Sequence, residues 1–69
     1  MAGNDEMNGN QRVFREYLKE SMARHSNDMV RSLQAVGRYA PSEILIPFSR
    51  LTTEEKNQVI YEVLRNDYV

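Results

Sequence analysis

Phe14, Leu18, Met22, His25, Met29, Leu33 and Val36 recur at spacings of 4, 4, 3, 4, 4 and 3. No other feature of the chain constrains its fold as strongly. A half-buried strand would alternate every second residue, whereas this period lines all seven positions along one face of a helix. Positions 14, 25 and 36 are eleven apart, as are 18 and 29, and 22 and 33. An eleven-residue repeat follows a nearly straight helix. All seven positions are apolar except His25.

Two structures satisfy this pattern. One is a single helix from about residue 11 to 36, with Asn10 as its N-cap. The other is two helices separated at Ser26-Asn27-Asp28, with Ser26 capping the second and Asp28 at its positive end. Three consecutive weak helix formers favour the break, as does the need of a small globule for turns. Gly37 is expected to close the helix as its C′ residue, with Pro41 shortly beyond. Pro41 to Leu45 suits one helical turn with proline at the first position. Ile44 to Ile46 could instead be extended, although no partner strand is apparent for it. Pro47 is expected to end whichever forms.

The last helix has the clearest start. Thr52-Thr53-Glu54-Glu55 reads as a capping box, in which the Thr52 hydroxyl accepts from the Glu55 N–H and the Glu55 carboxylate accepts from the Thr52 N–H. Val59, Ile60, Val63 and Leu64 follow at helical spacing, so a helix from Thr53 to Asn66 is expected to bury these four. The fold class expected is all-α. About three helices form a single domain over 11–69, behind a disordered tail over 1–10 that is rich in Asn, Gly and acid.

Sixty-nine residues make one small domain at most. The absence of Cys rules out disulfides, and a single His makes a zinc site improbable. No signal peptide and no membrane span are visible, and a Cys-free chain suits a reducing compartment. A soluble protein of a reducing compartment such as the cytoplasm is therefore expected. Net charge is −1, but the central segment 11–40 carries six Lys or Arg against three acids. The whole-chain pI near 5.7 argues against a dedicated nucleic-acid binder.

Candidate chemistry is sparse. His25 lies near Ser21 and Ser26, but it sits on the apolar face, and no strand–turn–helix elbow presents a serine. Glu54 and Glu55 serve a helix start better than an acid–base pair. The glycines, Gly3, Gly9 and Gly37, form no phosphate loop. No enzyme activity, cofactor or metal is expected. Arg12, Arg15 and Lys19 fall within about 60° on a helical wheel, a small basic stripe flanked by Glu16 and Glu20. The apolar arc of the first helix is wider than a surface helix needs, and its surplus edge is Val13 and Tyr17. On the last helix Tyr61 points about 130° away from the apolar stripe, with Arg65 one turn on and Tyr68 beyond. Tyr and Arg are the side chains over-represented at interface hot spots. Arg12, Tyr17, Tyr61 and Arg65 are accordingly the partner-binding candidates. A small DNA-binding helical domain, resting on the basic middle segment, is the rival reading.

Residues 8–69, notably Gln11-Arg12-Val13-Phe14-Arg15-Glu16-Tyr17-Leu18 and Pro47-Phe48-Ser49-Arg50-Leu51, resemble small bacteriophage-encoded transcription regulators that bind host bacterial RNA polymerase. The resemblance implies binding near the N-terminal region of the β′ subunit, inhibition of initiation by the host holoenzyme and antitermination. The near-neutral charge and the short apolar runs add the expectation of no direct nucleic-acid binding and no membrane partner.

Overall fold

The structure, a computed structural model, describes residues 7–67. Four helices follow in order: α1 Gly9–Arg24, α2 Met29–Tyr39, α3 Ser42–Ser49 and α4 Thr53–Asp67. No strand occurs among the described residues, so the chain is all-α, with one helix more than expected. The extra helix is α3, where the sequence suggested a single turn. Expectations for Met1 to Glu6 and for Tyr68 lie outside the described residues.

α1 is the hub, packing on each of the other three helices. Phe14, Leu18 and Met22 from α1 meet Val36, Leu51, Val59 and Val63 in one core. The Phe14 and Phe48 rings meet edge to face at 4.9 Å, which fixes α3 on α1. Lys56 Nζ lies 5.3 Å from the centre of the Phe48 ring and covers its outer side. Between α1 and α2 two serines join the apolar contacts. The Ser21 hydroxyl donates to the Ser32 carbonyl at 3.1 Å, and the Ser32 hydroxyl donates to the Asp28 carbonyl at 2.7 Å. Both serines are buried. Small side chains whose hydroxyls bond to backbone carbonyls can sit at a helix contact with their polar atoms satisfied.

The break at residues 25–28 is the one the sequence favoured. Ser26 and Asn27 take positive φ, 55° and 64°. The Asn27 N–H donates back to the Met22 carbonyl at 2.8 Å, the long bond of a helix-ending αL turn. Ser26 therefore ends α1 and does not start α2. Asp28 is the N-cap, accepting from the Arg31 N–H at 3.1 Å. Gly37 does not end α2, which runs two residues further to Tyr39. Pro41 ends it instead by forcing Ala40 out of the helical region, to ψ 139°. Pro41 itself is the N-cap of α3 and not its first residue. Pro47 does not stop α3, which continues to Ser49. The chain leaves α3 through tightened bonds from the Arg50 and Leu51 N–H groups to the Pro47 and Phe48 carbonyls.

Two further expectations change. The first helix begins at Gly9 behind Asn8, not behind Asn10. Met7 is a core residue at 2% exposure, so residues 7–10, expected in the tail, belong to the folded unit. On α4 the buried residues are Val59 and Val63, while Ile60 is partly buried and Leu64 is exposed. With about 100° per residue, Leu64 lies about 120° from the midpoint of Val59 and Val63, outside the buried arc. The four-residue ridge through positions 55, 59 and 63 meets α1, and that narrower contact leaves Leu64 at the edge.

Candidate functional site

Ser21 and His25 do come together, but not as a nucleophile and base. His25 Nδ1 is 2.8 Å from the Ser21 carbonyl oxygen. A carbonyl only accepts, so this contact puts a proton on Nδ1. Ser21 Oγ lies 3.4 Å from that same nitrogen and gives its own proton to the Ser32 carbonyl. Nδ1 therefore has no free lone pair to take it. Glu54 is exposed at the first turn of α4, and Glu55 is committed to capping. Among the described residues no group of three or more His, Cys, Asp or Glu could hold a metal ion. No helix among them is long and apolar enough to cross a membrane.

The surface feature best suited to binding is a groove between α1 and the start of α3, of about 550 Å³. Val13 and Tyr17 from α1 and Pro41 and Ile44 from the α3 side supply its apolar surface. Tyr17 and Ile44 also pack on the core, so this surface is held in place from beneath. Glu16, Glu20 and Glu43 rim the groove, with Arg12 among them. Three exposed carboxylates against one guanidinium give the rim a negative balance.

Of the four candidates, the structure brings Arg12 and Tyr17 into this groove. Tyr61 and Arg65 are elsewhere, on the outer side of α4. The Arg65 guanidinium lies 5.8 Å from the centre of the exposed Tyr61 ring, a local cation–π pair. The basic stripe is not a continuous exposed charged face. Arg15 is partly buried, with its Nε 3.5 Å from Glu16 and its Nη1 3.7 Å from the Met7 sulfur. Lys19 is also partly buried and engaged.

Sequence reasoning found one wall of the groove and missed the other. Val13 and Tyr17 were legible as surplus apolar width on α1. Pro41, Glu43 and Ile44 carried no signal, because only the placement of α3 brings them alongside. Reasoning from sequence also passed over the outer face of α2, where Arg31, Gln34, Arg38 and Tyr39 are exposed. The seven-residue interval between Arg31 and Arg38 was the available clue. Comparison with known proteins finds no matching family model, no matching curated protein and no matching solved structure.

Proposed function

We propose that this chain is a non-enzymatic protein-binding regulator that docks on host bacterial RNA polymerase in the bacterial cytoplasm. In this reading it inhibits initiation and promotes antitermination. The observation that carries the binding role is the α1/α3 groove, with its apolar floor, carboxylate rim and buried support. An apolar floor supplies the desolvated centre of an interface, and rim charges choose the partner. The complementary ligand is an apolar segment flanked by Lys or Arg, presented by the polymerase. The choice of polymerase, and of its β′ N-terminal region, rests on the resemblance in residues 8–69. Arg12 and Tyr17 are the proposed groove contacts, and Tyr61 with Arg65 would form a second, separate contact. A small DNA-binding domain is the rival. The outward arginines of α2 favour it, while the net charge of −1 weighs against DNA binding as the main role.

The test is calorimetry with purified core polymerase beside a gel shift on random duplex DNA. Micromolar or tighter polymerase binding is expected, with no shift at physiological salt. Tyr17→Ala should weaken polymerase binding by about 2 kcal/mol or more, as a hot spot does. Glu16→Lys should weaken it by reversing one rim charge. Full affinity in both variants would remove the groove from the interface. Absence of polymerase binding together with a clear duplex shift would replace this reading with the rival.

A further inference from the structure

We infer that the outer face of α2, with the end of α1, binds single-stranded nucleic acid: Arg24, Arg31 and Arg38 take phosphodiesters and Tyr39 stacks on a base. Ser32 and Val36 are fully buried on the inner side of α2. Arg31 and Arg38, seven residues apart, lie within about 20° of each other, about 130° round the helix from Ser32 and Val36, and about 10.5 Å apart along the axis. A concavity of about 390 Å³ runs between them, lined by His25, Arg31, Gln34, Ala35, Arg38 and Tyr39. No carboxylate lines it. A smaller adjoining hollow, which also borders His25 and Tyr39, adds Arg24 and one acid, Glu20. Among the described residues none of these three arginines makes an ion pair. That distinguishes them from Arg15, whose charge is already engaged.

Charge complementarity calls for a polyanion, and the residue types narrow it. Arginine forks match phosphate oxygens with paired hydrogen bonds. Gln34 adds an amide that can donate to phosphate or to a base edge. An acidic peptide would need an apolar anchor site, and the concavity offers only Ala35 apart from Tyr39. Tyr39 is 73% exposed, the most exposed large hydrophobic side chain described. A ring held open beside two arginines suits an unpaired base, since aromatic stacking is available to single strands. In a duplex the bases are already stacked on each other. The concavity between Arg31 and Arg38 shares no residue with the α1/α3 groove, although the adjoining hollow meets the groove at Tyr17 and Glu20. It also amends the expectation, drawn from net charge, that the chain leaves nucleic acid alone.

The experiment is fluorescence anisotropy of the full chain with a labelled oligo(U) of about twelve nucleotides. A duplex of the same length is run in parallel. Three neutralised phosphates give a log–log salt slope of about −2, so raising salt from ~50 to ~200 mM should weaken single-strand binding about 20-fold. The double variant Arg31→Gln/Arg38→Gln should bind more weakly and retain only about a threefold salt effect. Tyr39→Ala should lose at least about fivefold in affinity with the salt slope unchanged. All three side chains are exposed, and circular dichroism melts of each variant check that the fold persists. No binding at low salt, or unaltered binding by a folded double variant, would overturn the inference. Preference for the duplex, with Tyr39→Ala silent, would overturn the single-strand assignment.

Discussion

Helices α1 and α4 open with the same device in different settings. Asn8 and Gln11 form one capping box, with the Gln11 N–H donating to Asn8 Oδ1 at 2.8 Å and the Asn8 N–H donating to Gln11 Oε1 at 3.0 Å. Thr52 and Glu55 form the other, at 3.1 and 2.9 Å. The Thr52 box is exposed. The Asn8 box is partly buried and locked onto its counterpart. Asn8 Nδ2 donates to Glu55 Oε2 at 2.9 Å, so one carboxylate serves both helix starts. Gln11 Nε2 donates to the Glu55 carbonyl at 3.1 Å and to Gln58 Oε1 at 2.9 Å. Gln11 is 3% exposed. A four-residue motif thus has no fixed value. At α4 it is mainly a local cap; at α1 it is also a long-range clamp between the N-terminal turns of the first and last helices.

The comparison breaks most visibly at the α1 end. Deleting residues 1–8 removes the buried Met7 side chain and the α1 cap together. Losing a buried Met alone costs about 2–5 kcal/mol and losing a cap about 1 kcal/mol more. The truncated chain should be largely unfolded at 25 °C by circular dichroism, since a small domain has little more stability than that to lose. A cooperative melt near that of the full chain would mean that Met7 contributes nothing.

Gln11→Ala should come next. It removes the Gln11 bonds to the Asn8 N–H, the Glu55 carbonyl and Gln58 Oε1 together, in a partly buried site. The expected loss is about 2–3 kcal/mol in urea unfolding. A double-mutant cycle of Asn8→Ala with Glu55→Ala should show a coupling of about 0.5–1 kcal/mol, which measures the clamp separately from either cap. Additive losses would reduce the clamp to two independent boxes.

Thr52→Ala sharpens the other side. It should cost about 1 kcal/mol, lowering the melting midpoint by roughly 4–8 °C. A loss equal to or above that of Gln11→Ala would reverse the ranking of the two starts. The smallest effect should come at Gly37, and with opposite sign. It lies on the exposed side of α2, and nothing is within 4 Å of where a Cβ would stand. Gly37→Ala should therefore raise stability by about 0.5–1 kcal/mol. An unchanged or lowered melting midpoint would show that α2 frays before residue 37 in solution.

Legibility differed from element to element. The break at residues 26–28 and the Thr52 start could be read because caps and weak helix formers act over four residues or fewer. The Asn8 box has the same four-residue spacing, in amide form, but Gly9 and the polar surroundings made it resemble a tail. Ser21 and Ser32 gave no sign of being buried, since their hydroxyls are satisfied by carbonyls eleven and four residues away. Leu64 was assigned to the core by type and spacing, and the orientation of α4 left it outside.

The sequence by itself determined that the chain is helical, that a break falls at residues 26–28, that the last helix starts behind Thr52 and that Phe14, Leu18 and Met22 face inward. Those properties follow from backbone propensity, capping and a 3.6-residue period, all local. The tertiary structure decided the rest: that Glu55 serves two helix starts, that α3 completes a groove begun by Val13 and Tyr17, and that Arg31, Arg38 and Tyr39 border an acid-free hollow. Each depends on how helices approach one another, and that is set by the summed fit of many side chains distant in sequence.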